Sequence, residues 1–290
     1  MMARELVTGQ IKRLRPLPPT ALRLASLLAS PLYSIDECVT IIKYDEALAL
    51  EVLTYANSAF SGAQRQISDI RSAVIRLGGG RILKEILSRH LKTVMTGDLS
   101  AYGYSETELW RHSVAAALAI ESLGPFLMGS ISGLAFTAAL MHDIGKLILA
   151  RAAPKETITR IWAILSDETC TCEQAEKEIL GFTHADVGAE IMVAWKMPEC
   201  IERCVRNHHT MLAQADPLTD CVSVANVVAK SVGQGIGNEG MCFGYDSRVV
   251  DRMGLTAEIF ERICVQTADR MREVLSFFEI EPGPDSASGR

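Results

Sequence analysis

The chain of 290 residues holds six histidines, and five of them fall at four places between residues 112 and 209: His112, His142, His184 and the pair His208-His209. His90 is the outlier. His142 is followed directly by Asp143, and Lys146 lies three residues further on. Imidazoles and carboxylates brought from separate helices to one point make a donor set for a divalent metal ion. The segment carrying the pair, from Phe136 to Ala150, is apolar on nearly every side, as a core helix is. Placing Asp143 and Lys146 there is costly unless both are paired or bound to a cation. Two accounts stand side by side: a metal site, or an Asp143–Lys146 or Asp143–His pair that satisfies itself in the core.

The elements that must position these residues read as helices throughout, because period-3.6 runs are frequent and period-2 runs are scarce. Pro18-Pro19 precede a helix with apolar residues at 21, 24, 25 and 28. Ser34 caps a second, to about Lys43. Others are expected at 47–56, 70–77 and 82–96, with Gly78-Gly79-Gly80 as a stop. The stretch 97–104 (GDLSAYGY) reads as a linker. Ser105-x-x-Glu108 is a capping-box pattern opening a helix to about Leu123. Further helices are expected at 132–152, 155–166 and 172–180. Another follows Thr183, which caps with Asp186, and runs to Lys196. The last are a helix from Pro198 to about His208-His209, then 217–232 and 256–278. The expected organisation is a two-lobed, all-α bundle. An N-terminal lobe spans 1–104, a second lobe 105–235 and a helical extension 236–280. The tail 281–290 is expected to be disordered. The glycine-rich stretch 233–244 lacks the G-K-[ST] ending of a phosphate-binding loop and reads as a connector.

Composition narrows the function. Apolar residues at 48% and charged residues at 22% are ordinary globular values. A net charge of −6 disfavours general nucleic-acid binding, since no excess of Lys and Arg is available to neutralise phosphates. The N-terminus has charges and no apolar signal region, and the longest apolar stretch is broken by Glu121, Gly124 and Pro125. A cytoplasmic protein without a membrane span is the expectation. The eight cysteines include no C-x-x-C and read as reduced packing residues.

The order His112, then HDIGK at 142–146, then His184, then His208-His209 resembles the HD superfamily of metal-dependent phosphohydrolases. It looks especially like the HD-GYP branch, the cyclic di-GMP phosphodiesterases. The first half is similar to the HDOD relatives in that superfamily, through Asn57-Ser-Ala-Phe60 and Ile67-Ser-Asp-Ile-Arg-Ser-Ala-Val-Ile-Arg-Leu-Gly78. Thr107-Glu-Leu-Trp-Arg-His112, His184-Ala-Asp-Val-Gly-Ala189 and Trp195-Lys-Met-Pro-Glu199 are HDOD-like as well. The resemblance is collinear over about residues 12–230. It implies an all-α HD-domain-like fold and a bacterial signalling or regulatory role, often without demonstrated catalysis.

Carried over position by position, the resemblance implies a first metal held by His112, His142, Asp143 and a late aspartate. Asn226 stands where that aspartate belongs. Asp220, six residues earlier, faces another side of the same helix. A second metal would use Asp143 with His184, His208 and His209. Lys146 matches a family lysine near the scissile phosphate. Glu108 lies one turn before His112 and can face the same site, or can serve only its cap with Ser105. If the chain is an enzyme, Asp143 and Lys146 carry catalysis in a phosphohydrolase whose metal activates water. Asn226 weighs against that, and favours a non-catalytic HDOD module that binds a signalling partner or a nucleotide. The expected cofactor is a divalent metal: iron, manganese or zinc. An iron-based redox or gas sensor is a third reading, since this donor set suits iron as well as zinc.

Overall fold

A computed structural model describes residues 2–28, 33–57, 66–95, 99–105, 107–126, 134–165, 170–210, 214, 216–235 and 247–277. The stretch 236–246 and the tail 281–290 lie outside the described residues. So do 58–60 of the Asn57–Phe60 motif and 97–98 of the linker stretch. Among the described residues there is no strand, and Leu99 and Tyr104 meet in an isolated antiparallel bridge.

The helices are α1 (Met2–Arg13), α2 (Pro19–Leu28), α3 (Ile35–Lys43), α4 (Glu46–Ala56), α5 (Ile70–Leu77) and α6 (Gly79–Met95), followed by α7 (Glu108–Leu123) and α8 (Ala135–Met141). Then come α9 (Ile144–Ala152), α10 (Lys155–Leu165), α11 (Cys172–Leu180), α12 (His184–Ala194), α13 (Glu199–Asn207), α14 (Pro217–Ser231), α15 (Ser247–Met253) and α16 (Ala257–Phe277). Local chemistry sets many of the starts. Ser34, Thr171 and Thr183 each close a full capping box, with Glu37, Gln174 and Asp186 respectively. Asp45 and Asp69 cap α4 and α5.

Helices α2 to α6 pack on one another through α2·α3, α3·α5, α4·α5 and α2·α6 contacts. Helix α7 is the spine of the second half and lies against α8, α14 and α16. It is buried along most of its length, including Trp110, whose indole N–H donates to the Ser88 carbonyl of α6 at 3.3 Å. Helix α12 packs on α9 and α13. Helix α1, which the sequence reading does not predict, docks on α9 and α12, where Arg4 pairs with Glu190 and covers the Phe182 ring.

Two helix expectations are corrected. The helix expected at 82–96 starts earlier, with Gly79 and Gly80 inside α6. The stretch 132–152 is not one helix. It breaks at His142-Asp143, between α8 and α9. Asp143 sits at φ −100°, ψ 7°, outside helical geometry. The break lets the His-Asp pair leave the helix cylinder and turn into the space between helices.

Glycine makes this arrangement possible. A Cβ at Gly145 would lie 1.9 Å from the His184 carbonyl oxygen and 2.8 Å from the Gly188 nitrogen. Only glycine lets α9 approach the start of α12 this closely. The same approach brings Asp143 and His184 together.

A buried His/Asp centre

Asp143 is the hub of the site. Its Oδ2 lies 3.3 Å from His112 Nε2, 3.3 Å from His142 Nε2 and 2.8 Å from Lys146 Nζ. Its Oδ1 lies 3.3 Å from His184 Nε2 and 3.5 Å from His208 Nε2. The two oxygens thus face two different sets of imidazoles, and one carboxylate joins them. His209 packs on the ring of His208, with centroids 4.0 Å apart, and its Nε2 lies 2.8 Å from Glu173 Oε1. His112, His142, Asp143 and His184 are 0% exposed, Lys146 1% and His208 2%.

Each ring is aimed by its other nitrogen. His142 Nδ1 faces the Ala139 carbonyl at 2.6 Å, and His208 Nδ1 faces that of Val205 at 2.7 Å. His112 Nδ1 faces the Gln234 carbonyl at 2.9 Å. A carbonyl only accepts, so each of these Nδ1 atoms donates. A neutral imidazole that donates from Nδ1 has a bare lone pair at Nε2. Those Nε2 lone pairs point at one another and at Asp143, with His112 Nε2 only 3.2 Å from His142 Nε2. Such an arrangement is repulsive until a cation enters it.

The unmet groups say the same. Asp143 Oδ1, His184 Nε2, His208 Nε2, His209 Nε2 and Asn226 Oδ1 are buried without a hydrogen-bond partner. Buried polar atoms in native proteins are nearly always satisfied, so a cluster of orphans marks a missing positive partner. The donor set therefore fits a divalent metal. Asp143, His184, His208 and His209 form one grouping close enough to share an ion, and His112, His142 and Asp143 form another.

Charge runs the same way. Burial disfavours ionisation of Asp143, yet His142 and the Lys146 ammonium beside it hold its carboxyl well below the usual range. Burial also opposes charge on His184, but the Glu176 carboxylate overrides this and pushes it up to about 10. Burial pulls His208 and His209 down to about 4 and lowers His142. Three carboxylates (Asp143, Glu173 and Glu176) converge here, with Lys146 and the His184 imidazole as the cations beside them.

Two of these carboxylates are absent from the sequence reading. Glu176 is fully buried and accepts from the His184 backbone N–H at 2.7 Å, from His184 Nδ1 at 2.8 Å and, at its other oxygen, from the Tyr102 hydroxyl at 2.9 Å. The available signal is an acidic residue on the buried face of α11, beside Cys172 and Ala175. Glu108, a possible participant, and Asp220, expected to face elsewhere, have other partners. Glu108 accepts from the Ser105 backbone N–H at 2.8 Å, but the expected capping box does not form: Glu108 is the first residue of α7 and Thr107 its N-cap, without a side-chain cap. Asp220 forms a two-pronged pair with Arg252 of α15, at 2.7 and 2.9 Å. His90 stacks edge-on against Trp195, away from the cluster. Asn226 is buried on α14, which packs against the helices α7 and α8 that lead into His112 and His142.

A helical bundle with an Asp-centred imidazole cluster at the break between two helices defines an HD-type domain. The HDOD domain model matches residues 14–211, more than half of the chain, and the chain belongs to the HDOD family. It is similar to a solved HDOD domain protein of unknown function from Geobacter sulfurreducens, with 24% identity, a TM-score of 0.63 and coverage of 95% of this chain and 93% of that one. A Marinobacter aquaeolei protein assigned to signal transduction gives 21% identity and a TM-score of 0.71, over 95% of this chain and 64% of its own. A Shewanella amazonensis protein assigned as a metal-dependent phosphohydrolase gives 18% and 0.53, over 91% and 99%. At these identities the likeness is one of fold. An uncharacterized Treponema pallidum protein is 22% identical over 236 residues, 77% of this chain and 44% of that protein. The chain thus spans less than two thirds of the length of the first two of its relatives, from Treponema and Marinobacter.

Proposed function

We propose that this chain is a signal-transduction module of the HDOD type that holds a divalent metal at the buried His/Asp centre and does not hydrolyse phosphodiesters. The burial of the centre carries this reading. Asp143, His112, His142 and His184 have no exposed surface, which disfavours direct approach of a phosphodiester to the carboxylate hub. Asn226 in place of a carboxylate supports it, because the His112–His142 side of Asp143 then has only one anionic ligand. Lys146 already neutralises the Asp143 oxygen on that side.

The ion would be held on the other side, by Asp143, His184, His208 and His209. Bound there, it supplies a positive charge that cross-links the ends of several helices. This chain's own residues do the rest. Lys146 balances Oδ2, the Nδ1 contacts fix the rings, and burial excludes water. The partner of such a module is a signalling protein or a nucleotide. The chain's helices include none long and apolar enough to cross a membrane among the described residues.

A phosphohydrolase is the second reading, favoured by a carboxylate that joins two imidazole sets with a lysine beside it. A two-metal hydrolase needs both positions filled to hold the attacking and leaving oxygens. The test is cyclic di-GMP hydrolysis by the purified chain with added manganese or iron. No turnover is expected, whereas turnover abolished by Asp143→Ala would establish the enzyme. Asn226→Asp should raise metal occupancy at the His112–His142 side.

A further inference from the structure

We propose that Glu173 is an additional ligand of the metal on the His184–His208–His209 side, making the donor set three imidazoles and two carboxylates. The proposal rests on the metal reading above and adds a residue to it. Glu173 belongs to the first turn of α11, whose start is fixed by the Thr171–Gln174 capping box. Its Oε1 lies 2.8 Å from His209 Nε2 and 4.0 Å from His184 Nε2. His209 Nε2 nevertheless has no hydrogen-bond partner, so the two atoms are close without the alignment that a hydrogen bond requires. Two ligands of one ion have this relationship. With bonds of about 2.1 Å, neighbouring ligand atoms lie about 3.0 to 3.4 Å apart, and opposite ones about 4.2 Å. The Glu173–His209 distance is close to the first range and the Glu173–His184 distance to the second, while Glu173 stands outside the tight grouping of Asp143, His184, His208 and His209 and would have to swing inward to complete the set. His184 Nε2 and His208 Nε2 lie at 3.3 and 3.5 Å from Asp143 Oδ1, again as neighbours would.

The place of Glu173 in the cluster adds a second argument. The side chains of Glu173 and His209 are 21% and 17% exposed, whereas those of Asp143, His184 and His208 are 0%. Together they form the outward edge of an otherwise sealed site. An anionic ligand there faces the side from which an ion enters. It also brings the side of Asp143 away from Lys146 to two carboxylates, while the Asn226 substitution leaves the opposite side with one. The asymmetry selects a single ion, on the Glu173 side.

Cobalt(II) titration of the metal-free chain tests this, because visible absorption reports coordination number as well as binding. The unmodified chain is expected to take up one cobalt ion with the weak absorption of five or six ligands. Glu173→Gln should lower affinity at least about tenfold and strengthen the absorption, as a ligand is lost. Glu173→Asp should fall between. Glu178→Gln, exposed on the same helix, should leave both readouts unchanged. If Glu173→Gln weakens binding but leaves the spectrum unaltered, Glu173 is only a nearby charge and the proposal is overturned. An unmodified chain that takes up no cobalt would instead overturn the metal reading itself.

Discussion

Glu176 holds His184 by two hydrogen bonds at once: the backbone N–H at 2.7 Å and ring Nδ1 at 2.8 Å both end on the same carboxylate oxygen. The other oxygen takes the Tyr102 hydroxyl, so the ring is clamped between the start of α12 and the turn that precedes α7. A carboxylate behind a metal-binding histidine fixes its tautomer and raises its basicity. Glu176→Gln should therefore weaken metal binding by about 10- to 100-fold while leaving the helical content intact. Tyr102→Phe should cost about 1 to 3 kcal/mol of stability, because it leaves a buried carboxylate short of a donor. Metal-binding isotherms and urea unfolding read the two effects. Equal metal affinity in Glu176→Gln would remove Glu176 from the site's design.

The positions of the histidines and of Asp143 were legible in the sequence because their order is unusual and they stand on apolar helices. The starts at Ser34 and Thr183 were legible because those residues carry capping chemistry, whereas the same box at Thr171 was not read. The break at His142-Asp143 was not, since Gly145, two residues on, reads in sequence as an ordinary interruption of an apolar helix. It is set by tertiary packing, through the contact of Gly145 with α12. Glu173 and Glu176 escaped notice for a related reason. A glutamate three residues from another on a helix reads as a solvated face, and only the packing of α11 on α10 and α12 turns that face inward. Helix α1 was hidden by its many charges and is held by a few contacts such as Val7 and Arg4.

Three glycines should respond differently to the same substitution. Gly145→Ala should cost at least about 3 kcal/mol, because the new methyl meets the His184 carbonyl at 1.9 Å and backbone cannot yield cheaply. Gly235→Ala should cost at least about 1 to 2 kcal/mol. Its φ is +64°, and the methyl would meet His112 Cβ at 2.4 Å. Gly9→Ala, inside α1 with nothing within 4 Å, should instead stabilise by about 0.5 to 1 kcal/mol. Denaturant midpoints order the three. A Gly145→Ala protein as stable as the parent would mean that α9 and α12 are not packed as described.

Asp45 supplies a pH-dependent contribution. The Thr20 hydroxyl donates to its carboxylate and the Leu48 backbone N–H donates at 3.1 Å, which together hold its pKa below the ordinary value. A depressed folded-state pKa gives stability that is present above the unfolded value of about 3.9 and is lost as pH falls through the folded one. Asp45→Ala should thus cost about 1 kcal/mol at pH 7 through the lost cap. The gap between the two proteins should narrow steadily below about pH 4. A gap that stays constant down to pH 2 would show that the carboxylate charge contributes nothing.

The claim on which the rest depends is that Asp143 is the hub of a metal centre, and native mass spectrometry of the chain purified from iron- and manganese-supplemented cells tests it most directly. One divalent ion per chain is the expected result, with none in Asp143→Ala at unchanged helical content. A metal-free parent under those conditions, or an Asp143→Ala protein carrying the same ion, would contradict it.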